Sequence, residues 1–401
     1  MSRGRTALLL AVGAISLVLA TVLATLVTTG GGNRPETSDA AAGPGGAATD
    51  NSTTQNSAPP VGSDQQRELT AGEAAETFLS GYVDPDGRVV RRDQGGDTVS
   101  EGQAYALLIA AGIGDRESFT EVWSWTQDNL QRADGLLSWR WEDGAVVDAS
   151  SAADADLDTA RALVLAGTAF DDPQLTADGV ALGLAVLDLE TVQTGVGRVL
   201  VAGSWATVEP YAYNPSYASP AASAVLAQAS GDPRWAELDE GSRAATAALL
   251  EESELPPDWA QVRADGTVEA MPGAQGRGND GVRYSYDATR TPVRFAESCA
   301  SADRALAARL VDVLDRSGAD TAVLDLGGAA LTGDESAVAA VGQAAAVAAG
   351  GDLDRARVEL VDADHLQQRA PTYYGAAWNA LGRLLLTDEA LGGCPPLVGA
   401  S

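Results

Sequence analysis

Between Ala152 and Phe170 the chain reads A-A-D-A-D-L-D-T-A-R-A-L-V-L-A-G-T-A-F. Three carboxylates, Asp154, Asp156 and Asp158, are packed together and run straight into an apolar stretch. The stretch predicts a helix, and acids in a first turn meet the positive end of the helix dipole. One acid suffices to cap a helix; three repel one another, and such crowding raises carboxyl pKa values. The segment is therefore either a helix start dressed with acids or the floor of an active site. Residues i and i+4 share a helical face, so Asp154 and Asp158 point one way and Asp156 another.

The rest of the chain after Glu68 reads as helix after helix, with little of the alternation that marks strands. Ser100-Glu101-Gly102-Gln103 has the form of a capping box opening a helix that is apolar on most faces through about Ala111. Asp115 caps the next, whose Phe119, Val122, Trp123, Thr126 and Leu130 recur at helical spacing. Further helices are expected at 173–189, from Ser219-Pro220 (an N-cap followed by proline at the first helical position) to Ala229, and over 237–250, 302–314, 336–349 and 373–386. About ten to twelve helices with long, irregular connections point to an all-α closed toroid rather than a simple bundle.

Residues 1–29 begin with two Arg and no acid and continue as the uncharged, apolar Ala7–Thr28. That run is long enough to cross a bilayer, with the Arg pair held inside and the rest of the chain outside. A signal-anchor is favoured over a cleaved signal peptide, because no A-x-A cleavage site stands out. Residues 30–66 are Gly, Ala, Ser, Thr, Asn and Pro without apolar period, a flexible tether. Residues 67–398 form the folded domain, expected to work as a monomer.

The net charge is −30, and all 26 basic residues are Arg. A surface this acidic repels phosphate backbones, which argues against nucleic acid as a partner. The single His365 rules out metal sites built on several histidines and has no G-x-S-x-G to serve. No cofactor or metal is expected, and acid–base chemistry falls to carboxylates. Cys299 and Cys394 form no C-x-x-C; in an oxidising compartment they can pair and tie the chain's end back to the core.

Two more acids lie at junctions between loops and helices. Glu101 sits in the first turn of its helix, and Asp287 lies among Tyr284, Tyr286, Arg290 and Arg294 in R-Y-S-Y-D-A-T-R-T-P-V-R. The local reading of each is open: an ordinary N-terminal acid or a catalytic one for Glu101, an Asp–Arg pair or a base for Asp287. Trp139, Trp141, Trp205, Tyr211, Tyr213, Tyr217 and Trp259 fall beside Gly, Pro, Asn and Asp in expected loops, where flat apolar faces suit stacking on sugar rings. Trp123 and Trp378, inside helices, are read as packing residues.

The segments S-E-G-Q-A-Y-A-L-L, W-S-W-T-Q-D-N-L, D-G-L-L-S-W-R-W, A-D-A-D-L-D-T-A, N-P-S-Y, L-P-P-D-W and Y-S-Y-D-A-T-R-T-P-V-R occur in this order between about residues 70 and 390. Together they resemble glycoside hydrolase family 8, which includes bacterial endoglucanases and the cellulase associated with bacterial cellulose synthesis. The resemblance implies an (α/α)6 barrel with a loop-built cleft, and hydrolysis of internal β-1,4 bonds in a cellulose-like glucan, with xylan or chitosan as alternative substrates. It assigns the general acid to Glu101, the active-site Asp that distorts the sugar to Asp154, and the general base to Asp287. Trp139, Trp141, Trp205, Tyr213, Tyr217, Tyr286, Arg290 and Asp156 are the expected substrate-binding residues. Two positions depart from the family pattern: Ala153 where Ser or Thr is usual, and Thr159 where Ile or Met is usual. A non-catalytic exopolysaccharide-binding role is the reading from another class, against which the retention of three carboxylates stands.

Overall fold

The computed structural model describes residues 68–274, 281–318 and 320–398. The expected export or anchor segment and the tether lie outside the described residues. Among the described residues no helix is long and apolar enough to cross a membrane.

Among the described residues thirteen α-helices follow one another: α1 (Ala71–Tyr82), α2 (Ser100–Ile113), α3 (Arg116–Asn129), α4 (Ala153–Ala169), α5 (Pro173–Leu189), α6 (Pro220–Ser230) and α7 (Arg234–Glu252). Then come α8 (Thr291–Ala296), α9 (Ser301–Ala308), α10 (Val311–Ser317), α11 (Ala337–Ala349), α12 (Leu353–Arg369) and α13 (Tyr373–Thr387). Burial sorts them into two rings. α2, α4, α8, α11 and α13 are buried on nearly every face, and α6 on most of its first two turns. The others bury one stripe, as α3 does with Phe119, Val122, Trp123, Trp125 and Thr126. A helix apolar all round has to be enclosed, whereas a striped one can face water.

Each inner helix packs on the next, α2–α4–α6–α8–α11–α13, and α13 returns to α2, so the inner ring is closed. The outer helices back the inner ones, and α1 packs on α13, joining the two ends of the folded chain. This is the (α/α)6 barrel. Small residues let the inner helices approach. A Cβ built on Gly342 of α11 would stand 2.5 Å from the carbonyl oxygen of Thr289, just ahead of α8.

Charges inside such a ring are tolerated only in pairs. Three rungs join α4 to the Arg290–Glu297 segment: Asp154–Arg290, Asp158–Arg294 and Arg161–Glu297. Arg161 Nη1 and Nη2 meet Glu297 Oε1 and Oε2 at 3.0 and 2.6 Å, and the same guanidinium reaches the carbonyl of Leu391. Cys299 and Cys394 are disulfide-bonded beside this rung, and the Cys394 amide donates to the carbonyl of Glu297 at 2.7 Å.

The two ends of the barrel differ. Inner helices pass to outer ones through connections of two to four residues. Outer helices return through connections of 17 to 38 residues, except for the three-residue link from α12 to α13. The short strands lie in these long returns: β1 (Thr98–Val99), β2 (Arg140–Glu142) and β3 (Ala145–Asp148) form one sheet. β4 (Thr191–Thr194) pairs with β5 (Gly197–Leu200), and β6 (Tyr211–Tyr213), β7 (Trp259–Val262) and β8 (Val268–Met271) form the third sheet. The N-termini of the inner helices therefore open onto the loop-rich end.

Several expectations shift. The Ser100–Gln103 capping box is absent: Val99 is the N-cap without a side-chain bond, and Gln103 turns inward to the Val89 amide (2.6 Å) and Thr126 Oγ1 (2.9 Å). The expected 302–314 helix is two, α9 and α10. α1, α8 and α12 are not among the expected helices; α8 carries Arg294, whose partner Asp158 lies 136 residues away, and α12 has a strongly charged outer face. The expected caps Asp115 and Ser219 accept from Ser118 N and Ala222 N.

Candidate active site

Glu101 is the second residue of α2, half-buried at the loop-rich end. The ladder that pairs Val99 with Arg140 brings Trp139 beside it: the Ser100 amide donates to the Trp139 carbonyl at 2.9 Å, and the Trp139 indole N–H donates to Glu101 Oε1 at 3.1 Å. Burial, reinforced by the charge of Asp154, pushes the Glu101 carboxyl up to about 7.

Asp154 is the second residue of α4. Its Oδ2 accepts from Arg290 Nη1 at 2.9 Å, and its Oδ1 from the Ala155 amide at 3.0 Å. Arg290 also donates through Nη1 to the Tyr105 hydroxyl (3.1 Å) and through Nη2 to Asp287 Oδ1 (2.9 Å). One buried guanidinium thus joins two of the three carboxylates, while the rings of Tyr217 and Trp378 lie 5.5 and 5.9 Å from it. Burial raises both Asp154 and Asp287 from the ordinary aspartate value, and Arg290 opposes the rise in each. The Asp287 side chain remains 35% exposed, so water reaches it. Asn214 and Trp259 stand beside it and favour its charged form.

The first-turn acids divide as i,i+4 geometry requires. Asp154 and Asp158 face the α8 segment, and Asp156 points away, fully buried, accepting from the Leu137 amide at 2.8 Å. Asp156 therefore does not line the cleft, contrary to expectation. It faces Glu190, whose carboxyl burial pushes up to about 8 and whose Oε1 accepts from Ser151 Oγ at 2.6 Å.

The aromatic expectations divide too. Trp205 and Tyr286 are 37% and 45% exposed, available to a ligand, and Trp139 is half-buried against Glu101. Trp205 is held by its indole N–H on the Ser151 carbonyl (3.1 Å), and Tyr286 by its carbonyl accepting from the Tyr374 hydroxyl (2.9 Å). Tyr217 and Arg290 are buried at the centre among the carboxylates. Tyr213 does not belong with them. It is wholly enclosed, its hydroxyl 3.4 Å from Thr246 Oγ1, in a cluster with Ala245 and Leu249. Trp141, past a register shift after Arg140, packs edge-on against Trp125 with Arg88 over its ring. Loop composition suggests exposure for both; Tyr213 is turned wholly inward, and Trp141 is half-buried.

Tyr105, Tyr374, Asn214 and Asp258 surround the same centre and were not read as site residues. Tyr105 was within reach, since it lies four residues after Glu101 on the same helical face. Among the described residues no group of three or more His, Cys, Asp or Glu is disposed to hold a metal ion. The arrangement suits proton transfer: one carboxyl stays protonated near neutrality, and a second, water-accessible one is tied to a cation.

The model of the glycosyl hydrolases family 8 matches residues 62–385. A "Probable endoglucanase" of Novacetimonas hansenii is 35% identical over 324 residues, covering 78% of this chain and 90% of that one. The solved structure of the endo-β-1,4-glucanase CMCax from Acetobacter xylinum superposes with a TM-score of 0.65 at 29% identity, over 79% of this chain and 97% of that one. A β-1,3-1,4-glucanase from a Paenibacillus species superposes at 0.69 with 18% identity, over 80% of this chain and 91% of that one, a likeness of fold.

Proposed function

Since the chain belongs to the glycosyl hydrolases of family 8, we propose that it cleaves internal β-1,4-glycosidic bonds of a cellulose-like glucan with inversion at the anomeric carbon. The carrying observation is the split in carboxyl environments: Glu101 is raised to about 7 with no cation bonded to it among the described residues, while Asp287 is bonded to Arg290. Glu101 holds the proton that a leaving glycosidic oxygen needs, and Asp287 is the carboxylate that takes a proton from water.

In the reaction, Glu101 delivers its proton to the glycosidic oxygen as the bond from that oxygen to the anomeric carbon breaks. A water on the opposite ring face gives a proton to Asp287, and its oxygen forms the new bond to the same carbon. Asp154, anchored by Arg290 and near enough to Glu101 and Asp287 to share their electrostatics, holds the sugar and balances oxocarbenium charge. Trp139, Trp205 and Tyr286 offer ring faces to neighbouring sugars, and Tyr217 lies buried against Arg290 at the centre. The disulfide supports a place outside the cytoplasm, with residues 1–29 serving export or anchoring and 30–66 a spacer.

Proton NMR of the first product tests the stereochemistry. The α-anomer is expected on a soluble β-1,4-glucan, and initial β-anomer would exclude inversion. Reducing-sugar release on carboxymethylcellulose, mixed-linkage glucan, xylan and chitosan tests the substrate, with the first expected to be cleaved fastest. Binding to cellulose without any cleavage would refute the hydrolytic reading.

A further inference from the structure

The tetrapeptide Pro256-Pro257-Asp258-Trp259 contributes the tryptophan beside Asp287, but its aspartate has had no part in the chemistry so far. Asp258 is buried at the start of β7. Its Oδ1 accepts from two backbone amides, Ser285 N at 2.7 Å and Ala288 N at 3.0 Å. Its Oδ2 accepts from Ser285 Oγ and lies 3.4 Å from Arg283 Nε. Its own amide donates to the Arg283 carbonyl at 2.8 Å. The two clasped amides bracket Asp287, one belonging to the residue two before it and the other to the residue directly after it.

We propose that Asp258 is the positioning residue of the base, a buried carboxylate that gathers the backbone on both sides of Asp287 and so sets where that carboxyl points. The inference rests on the reading of Asp287 as the base. Oriented water activation requires the acceptor in place, and displacement of a catalytic group by about 1 Å can cost on the order of a hundredfold in rate. Arg290 restrains the Asp287 side chain at its tip, and Asp258 restrains its backbone, so the carboxylate is fixed from both ends.

A charge so placed also acts on Asp287 electrostatically. The groups facing Asp287 are Arg290, Asp154, Asp258, the polar side chains of Asn214 and Trp259, and the phenols of Tyr217 and Tyr374. Of these, Asp258 raises the Asp287 carboxyl and Arg290 lowers it. Glu101 answers to Asp154, Arg91 and Trp139 instead. Removing the Asp258 charge should therefore move one limb of the pH–rate profile and leave the other in place.

The test is the pH dependence of kcat and kcat/KM on carboxymethylcellulose for the wild type, Asp258→Asn, Asp258→Ala and Asp287→Asn, each checked for folding by thermal melting. In Asp258→Asn the amide oxygen still accepts from both backbone N–H groups, and the new NH2 faces the Ser285 hydroxyl. Its acid limb should move to lower pH, its alkaline limb should stay, and its plateau kcat should remain within about threefold of wild type. In Asp258→Ala the two amides lose their acceptor, and kcat should fall on the order of a hundredfold with KM changed less than about twofold. A profile of Asp258→Asn superimposed on wild type, or full turnover by Asp258→Ala, overturns the proposal. Should Asp258→Ala fail to fold, the Asp258→Asn profile decides alone. Wild-type turnover by Asp287→Asn would instead overturn the reading of Asp287 as the base, whatever the Asp258 variants do.

Discussion

Glu101→Gln separates the proton from everything else Glu101 does. In the wild type the Trp139 indole donates to Oε1 at 3.1 Å, and the Ser100 hydroxyl lies 3.3 Å from Oε2. A glutamine keeps an oxygen for the indole and turns its NH2 to the serine, which can accept, so the helix start and the Trp139 wall are preserved. What disappears is the transferable proton. With the carboxyl at about 7, about 99% of the enzyme carries that proton at pH 5, whereas an unperturbed glutamate would hold it in only about a quarter of the molecules. Loss of a positioned general acid costs about 10²–10⁴ in rate, or about 3–5 kcal/mol of barrier. The assay is reducing-sugar release from carboxymethylcellulose across the pH range, paired with an aryl glycoside whose leaving group needs no proton. The variant should lose the polymer reaction by that factor and retain most of the aryl glycoside reaction, and the wild type should lose activity as pH rises through about 7. Polymer turnover by the variant within tenfold of wild type, or equal loss on both substrates, would refute the assignment.

Other perturbations reach the scaffold. Glu190 keeps its proton in the folded state to about pH 8 against about 4.5 for an ordinary glutamate. Between those values the unfolded chain binds fewer protons, so this group costs stability increasingly as pH rises. Glu190→Gln should therefore melt higher than wild type near pH 8, with the difference vanishing near pH 4; a pH-independent difference in differential scanning fluorimetry would contradict this. Glu297→Ala leaves Arg161 charged and enclosed, and should destabilise by about 3–5 kcal/mol in denaturant titration; a loss below about 1 kcal/mol would show that the pair is not desolvated. The Cys299–Cys394 bridge spans 95 residues, and its removal by paired Ser substitutions should cost up to about 4–5 kcal/mol, read as a lower melting temperature that reductant does not lower further.

The acidic stretch shows how far local sequence carries. Its period gave the helix, and i,i+4 spacing correctly sent Asp154 and Asp158 one way and Asp156 the other. The spacing could not say that Asp156 ends buried on the Leu137 amide, because that amide lies 19 residues back in the long loop between α3 and α4. Order along the chain marked Glu101 and Asp287 through their family-like segments, while Tyr213 lies in the core because loop composition does not report which side of a loop meets it.

By itself, then, the sequence determined most of the helices, the caps at Asp115 and Ser219, and the cast of carboxylates, since these depend on neighbours within a few residues. Tertiary structure alone decided what each carboxylate faces. Arg290 comes to Asp154 across 136 residues of chain, and Glu101 instead meets the Trp139 indole. Burial and partner charge, both set by the closure of the ring, are what divide similar side chains into a carboxyl raised to about 7, carboxylates anchored on a cation and a wholly enclosed acid.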